Sequence, residues 1–302
     1  MKRVFVTGST GFVGTNLLRF LADYAGVLQL EGLNLRDQSD VVKRSEGLAF
    51  VHLAGKAHDI RKVSKPEEYY KVNYELTKSL YDTFLQSSAS KFIFVSSVKA
   101  AADSIIDILA ENTIANPQTH YGKSKLLAEE YIKSQPLPAG KSYYILRPCM
   151  IHGPGNKGNL NLLFSFVSKG VPYPLASFSN KRSFLSVENL CFIIKEILER
   201  DDIPSGVYNV ADDEPLSTNE VVTLLAASKN RSPRLLNIPK KIILMLAKIG
   251  DKLRLPLNTE RLQKLTENFV VSNNKIKSVL KKELPLSARE GILKTARSFK
   301  NA

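Results

Sequence analysis

A short apolar run, Lys2 to Thr7, stops at Gly8 and passes through Gly8-Ser-Thr-Gly11-Phe-Val-Gly14 into apolar residues at helical spacing, Leu17, Leu18 and Leu21. Strand, glycine turn and helix in that order begin a βαβ unit. Such a turn lets the backbone approach a pyrophosphate, and the helix N-terminus adds unpaired N–H groups and a positive dipole. The spacing GxxGxxG is one residue longer than the GxGxxG dinucleotide fingerprint. Glycines that merely shape a turn are the alternative; the place between a strand and an amphipathic helix favours a dinucleotide.

The alternation continues. Val27–Leu30 and Leu48–Leu53 read as strands, with a weaker one at Leu33–Leu35 and Asp37 as a helix cap. Glu67–Leu85 has helical spacing, Lys91–Val95 is a strand ending at Ser96-Ser97, His120–Lys133 is helical, and Ser142–Leu146 is a strand ending at Arg147-Pro148. Strands alternating with helices to about residue 150 predict an α/β fold with a doubly wound parallel sheet. After Pro154 the alternation loosens into a glycine-rich loop, helices at 160–169, 188–199, 217–228 and 240–253, and one strand at 206–211. The expected division is a sheet domain over 1–155 and a smaller C-terminal α+β substrate lobe over 156–302, interleaved with the sheet.

Composition narrows the class. At 302 residues and 43% hydrophobic, the chain is globular, one large domain or a domain plus a lobe. Two cysteines, Cys149 and Cys191, exclude a disulfide scaffold and a cysteine-rich metal site. No apolar run is long enough to span a membrane, and the N-terminus is too short for a secretory core, so a cytoplasmic location is expected. The net charge of +14 is uneven, with 18 Lys/Arg against 5 Asp/Glu in residues 229–302. Nucleic acid, an anionic membrane surface or a phosphorylated substrate would each suit it. Residues 229–302 hold no Tyr or Trp for base stacking, so no nucleic-acid partner is expected.

Tyr121-Gly-Lys-Ser-Lys125 places a tyrosine and a lysine on one helix face. Tyrosine ionises near pH 10, too high for a base at neutrality, and a nearby ammonium lowers that value. Ser96 and Ser97 close a central strand, where ligands bind in open α/β sheets. Alone, the tyrosine and lysine read sooner as a solvated pair, and the serine can be an ordinary cap or loop residue; together they are far more specific.

The set resembles the extended short-chain dehydrogenase/reductases, in their NAD-dependent epimerase/dehydratase branch with its Rossmann sheet. VTGSTGFVG is similar to the family's TGxxGxxG turn, YGKSK to YxxxK, and VSSVKA to the strand that delivers the catalytic serine. VHLAG at 51–55, VNYELTKSL at 72–80, LRPCMIHGPG at 146–155, NKRSFLSVENL at 180–190 and GVYNVADDEPLST at 206–218 also resemble family segments, in order along the chain. The resemblance implies Tyr121 as general acid/base, Lys125 lowering its pKa and holding the nicotinamide ribose, and Ser97, ahead of Ser96, as the catalytic serine. It implies cofactor contacts from Gly8, Thr10, Gly11, Phe12, Val13, Gly14, Glu31, Asn34, Leu35, Leu53, Ala54, Gly55, Asn73, Ser96, Tyr121, Lys125 and Pro148. Substrate contacts fall on Lys99, Met150, Asn159, Leu160 and Arg182. The arginine suits a diphosphate, and Lys99 fits substrate or solvent equally.

The implied reaction is NAD(P)-dependent chemistry at C4 of a UDP-hexose or UDP-N-acetylhexosamine in surface-polysaccharide synthesis: 4-epimerisation, or reduction of a UDP-4-keto-6-deoxy-N-acetylhexosamine. A non-catalytic dinucleotide sensor on the same fold is a further alternative. NAD is the expected cofactor, with NADP open, because Glu31 suits a ribose 2′-hydroxyl whereas Arg36 suits a 2′-phosphate. A homodimer is expected. Departures from the family are a short segment between Val27 and Leu48, Asn34 for an aspartate, and Met150 where many epimerases carry asparagine.

His52, His58, His120 and His152 lack metal-ligand spacing, so no metal is expected. His52 and Cys149 read as packing residues, and Asp103, Asp107 and Glu111 as a solvated surface. The basic amphipathic stretch 239–253 reads as a lobe helix with its apolar face inward, and otherwise as a peripheral anionic-membrane contact.

Overall fold

The computed structural model describes residues 2–22, 28–32, 49–56, 65–156, 158–253 and 258–299. Its centre is a six-stranded sheet, all parallel: β1 (Lys2–Thr7), β2 (Leu28–Gly32), β3 (Ala49–His52), β4 (Lys91–Val95), β6 (Ser142–Pro148) and β9 (Gly206–Val210), in the order β2-β1-β3-β4-β6-β9. The order reverses at β1, so a crevice opens between the C-terminal ends of β1 and β3. That is where ligands sit on open α/β sheets.

Strand alternation sends different side chains to the two faces. Val4, Val6, Ala49, Val51, Ile93, Tyr144 and Leu146 pack in the core that also holds Leu17 and Leu21 of α1 (Phe12–Ala22) and Ile193, Ile194 and Ile197 of α5 (Val187–Glu199). Phe5, Phe50, Phe92, Phe94 and Ile145 face the other way, against Leu80, Tyr81 and Phe84 of α2 (residues 66–86) and Ala128 and Ile132 of α3 (His120–Ser134). Both faces are covered, as a parallel sheet requires. Helix α2 contains one π-helical turn, Lys71–Glu75.

The sheet does not end at the expected division near residue 155. β9 completes it, and α5 packs on α1. Buried Lys91 ties this return in place: its ammonium donates to the carbonyls of Ile197 (2.9 Å) and Arg200 (2.7 Å), which neutralises the C-terminal dipole of α5. The lobe has its own core, where Phe164 of α4 (Asn159–Ser168) meets α6 (Thr218–Ala227), α7 (Lys240–Leu253) and α10 (Ala288–Ser298). Helices α8 (Thr259–Thr266) and α9 (Asn274–Leu280) and two small parallel pairs complete the chain: β7 (Met150–His152) with β8 (Phe184–Ser186), and β5 (Ile108–Leu109) with β10 (Val270–Val271).

Phe92 is fully buried, with the Tyr81 ring 4.9 Å away and the Phe84 ring 5.4 Å away. Phe92→Ala is expected to cost about 3–5 kcal/mol in urea unfolding. A loss below about 1 kcal/mol would show that the aromatic layer closes over the gap.

Candidate active site

The turn after β1 takes the shape a dinucleotide needs. Gly8 sits at φ +69°, and a Cβ there would lie 2.7 Å from the Ala54 nitrogen, so the turn and the β3 loop are in backbone contact. The Gly11 N–H closes the turn on the Gly8 carbonyl at 3.0 Å, and α1 starts at Phe12 with Thr10 and Gly11 exposed in front of it. Val13 is half-buried and Gly14 buried at the start of that helix. This cradle fits the pyrophosphate of a dinucleotide at a helix N-terminus.

The loop after β3 is held from below by His52. Thr7 Oγ1 lies 2.6 Å from Nδ1 of His52, and Nε2 lies 2.9 Å from Thr77 Oγ1. The Thr77 hydroxyl donates to the Asn73 carbonyl at 2.8 Å, so it accepts from Nε2–H, and Thr7 donates to Nδ1. Thr7 Oγ1 in turn accepts the Ala54 N–H at 3.1 Å. His52 is therefore more than a packing residue: it joins β1, β3 and α2. Burial, then the charge of Lys125, lowers its pKa from 6.5 to about 3, so the ring is neutral.

Asn73, on the π-helical turn of α2, is fully buried. Its Oδ1 accepts the Lys56 N–H at 2.8 Å, and its Nδ2 donates to the Lys56 carbonyl and to Ser124 Oγ, each at 3.1 Å. π-helical turns recur at functional sites. This one carries the residue that ties the Leu53–Lys56 loop to α3. Gly55 faces the Lys125 ammonium, 3.1 Å from where its Cβ would be.

Ser97, Tyr121 and Lys125 come together at the C-terminal edge of β4. Ser97 Oγ accepts the Lys99 N–H at 3.2 Å, which leaves its proton for the Tyr121 hydroxyl, with which it is hydrogen-bonded. Burial raises the Tyr121 pKa, the Ser97 bond opposes that rise, and Tyr69, edge-on at 6.3 Å, adds to it. The lowering expected from Lys125 is not among these causes. The Lys125 ammonium donates to the Val95 carbonyl at 3.0 Å and lies 4.6 Å from the centre of the Phe94 ring. Burial brings its pKa from 10.5 to about 8, against an opposing pull from Glu129.

Gly122, beside Tyr121, is the signal the sequence reading missed. A Cβ there would fall 2.4 Å from the Lys99 carbonyl oxygen, so only glycine lets α3 approach the turn after Ser97. Thr119 caps that helix, and Asp103 braces the cap by accepting the N–H groups of Gln118 (2.6 Å) and Thr119 (3.1 Å). Glu111 accepts the Asn209 N–H at 2.9 Å. Asp103 and Glu111 are thus structural acceptors rather than the solvated surface expected.

Several expected contacts are placed differently. The Ser96 hydroxyl turns inward to Glu129 Oε1 at 2.5 Å, which leaves Ser97 as the serine of the site. Glu129 is fully buried and also takes Arg147 Nε at 3.0 Å. The Lys99 ammonium donates to the Asp103 carbonyl at 2.7 Å and covers the Phe269 ring. The Leu160 side chain is in the lobe core, which leaves only its backbone for a ligand, and Pro148 is buried at the end of β6. Met150 is half-buried in β7. Arg182, partly buried, has its guanidinium 3.9 Å from Glu267 and within electrostatic range of Cys149 beyond β6. Burial and the Asp212 charge raise the Cys149 thiol well above its ordinary value, as suits a buried packing residue. Asn34, Leu35, Arg36, Asp37, His58 and the Leu33–Leu35 strand lie outside the described residues. Glu31 contributes its backbone to β2, beside Phe5.

The chain belongs to the NAD-dependent epimerase/dehydratase family, whose model matches residues 4–211. It is 29% identical to a UDP-glucose 4-epimerase of Vibrio cholerae over all of this chain and 96% of that one. It is also 29% identical, over 78% of this chain and 75% of the relative, to an N-acetyl-alpha-D-glucosaminyl-diphospho-ditrans,octacis-undecaprenol 4-epimerase of Escherichia coli O157:H7. The fold matches the UDP-N-acetylglucosamine 4-epimerase of Bacillus cereus with a TM-score of 0.75 at 19% identity, over 98% of each chain.

His52 offers a direct test. Below pH 6.5 the unfolded chain takes up a proton that the native ring refuses, so this stability is complete above 6.5 and shrinks toward pH 3. The stability gap between wild type and His52→Gln is expected to narrow by about 2 kcal/mol between about pH 7 and pH 5. A constant gap in urea unfolding would contradict the neutral, fully bonded ring.

Proposed function

We propose that the protein is an NAD-dependent oxidoreductase of C4 in a UDP-hexose or UDP-N-acetylhexosamine, and that its main reaction interconverts 4-epimers. The hydrogen-bonded Ser97–Tyr121 pair at the end of β4, with Lys125 one helical turn on, carries the reading. Oxidising a carbinol removes a hydride from carbon and a proton from oxygen, so one base must sit at that oxygen. Tyr121 takes and returns the proton there. With substrate bound, Ser97 would turn its one proton from Tyr121 to that oxygen and hold its orientation as hydroxyl becomes ketone. Lys125, on the same helix face as Tyr121, would hold the ribose hydroxyls of a bound dinucleotide and bring a positive charge toward the phenolate. The turn Gly8–Gly14 would hold the pyrophosphate of a dinucleotide, which would supply the hydride acceptor and donor for 4-epimerisation. Arg182 and the backbone at Asn159 and Leu160 hold the sugar diphosphate in the lobe beyond residue 156. The assembly we propose is a cytoplasmic homodimer.

The relatives named as 4-epimerases support this reading. A second reading, reduction of a UDP-4-keto sugar, is supported by 29% identity to a UDP-2-acetamido-2,6-beta-L-arabino-hexul-4-ose reductase of Pseudomonas aeruginosa, over 53% of this chain and 38% of that one. The two differ in redox balance. Incubation with UDP-glucose, UDP-GlcNAc, UDP-GalNAc and UDP-4-keto-6-deoxy-GlcNAc separates them, because only a reductase consumes NAD(P)H stoichiometrically.

Tyr121→Phe is expected to lower kcat by about 10²–10⁴, with dinucleotide affinity, read by fluorescence titration, retained. Unchanged turnover in that variant would remove Tyr121 from the proton transfer.

A further inference from the structure

Helix α7 was expected to turn its apolar face inward, and it does so only in part. Ile243, Ala247 and Gly250 are its buried residues. A second apolar stripe, Ile242, Leu246, Ile249 and Leu253, faces outward at 44%, 43%, 41% and 65% exposure. These four follow the i, i+4, i+7, i+11 spacing of one helix face. Lys241, Lys248 and Lys252 form a parallel exposed row, about 100° further round the helix. The stripe thus lies between the protein body and a line of ammonium groups.

We infer that α7 is a lipid-docking helix that seats the protein on an anionic bilayer surface. The stripe enters the acyl boundary, and the lysines extend their stems along it to the headgroup phosphates. Two features select this occupant. A second copy in the same pose would set lysine row near lysine row, in a segment where 18 basic residues outnumber 5 acidic ones. The exposed row of Lys241, Lys248 and Lys252 beside the stripe also matches the phosphates of an anionic headgroup layer, charge to charge. Among the described residues no helix is long and apolar enough to cross a membrane, so the contact is peripheral.

Co-sedimentation with vesicles of phosphatidylcholine, with and without an equal part of phosphatidylglycerol, tests the inference. The protein is expected to sediment with the anionic vesicles, to stay in solution with the neutral ones, and to be released by salt. Lys241→Gln/Lys248→Gln/Lys252→Gln is expected to lower the partition on the order of a hundredfold, as three lysines near an anionic surface imply. Ile242→Ser/Ile249→Ser is expected to lower it on the order of tenfold or more. All five positions are exposed, so both variants should keep the thermal transition of the wild type. If the isoleucine pair fails to fold, the lysine triple carries the test alone.

The inference falls if the wild type stays in solution with anionic vesicles, or if the lysine triple partitions like the wild type. It also falls if light scattering shows the isoleucine variant to be a monomer where the wild type is a dimer, which would give the stripe to a second copy. Sugar-nucleotide turnover in vesicle-free buffer tests the active site separately.

Discussion

The ion pair between Glu129 and Arg147 lies under the whole site. It joins α3 to β6, and through the Ser96 hydroxyl it reaches the end of β4. Both side chains are out of water, so each charge depends on the other and on the hydrogen bonds that complete it. Removing one partner strands the other, at a cost of about 3–5 kcal/mol. The position of Tyr121 relative to Ser97 therefore follows from a contact that touches neither. The carboxylate also favours the ammonium form of Lys125, four residues earlier on the same helix.

A second buried connection aligns the other half of the cleft. Thr7, His52, Thr77 and Asn73 form one line of hydrogen bonds from β1 across β3 to α2, and Asn73 passes it on to Ser124 in α3. The glycine turn and the Ser97–Tyr121–Lys125 group thus rest on polar contacts rather than on apolar packing alone. Such contacts are directional, so they fix orientation as well as distance.

The sheet was legible in the sequence because its strands are short apolar runs and its first turn is rich in glycine. The Ser97, Tyr121 and Lys125 positions were legible because their spacing matches a helix and a strand end. What escaped notice depends on partners distant in sequence. Ser96 and Ser97 are neighbours of one type, and only Glu129, 33 residues on, decides which faces the cleft. Asp103 and Glu111 looked solvated because the N–H groups they accept, at Thr119 and Asn209, belong to other elements. Helix α7 was located correctly, yet periodicity alone did not reveal that only Ile243, Ala247 and Gly250 are buried while its other apolar residues stay exposed.

The sheet's sixth strand comes from the second half of the chain, and Lys91 in β4 holds the helix that precedes it. On the ribosome, the first 155 residues therefore emerge with β6 as a bare edge and with the α5 side of the core uncovered. Until Val210 has cleared the tunnel, the nascent chain presents unpaired backbone and apolar surface, the two features that make partly made sheets aggregate. That edge is covered only when β9 pairs with β6, after about two thirds of the chain has been translated.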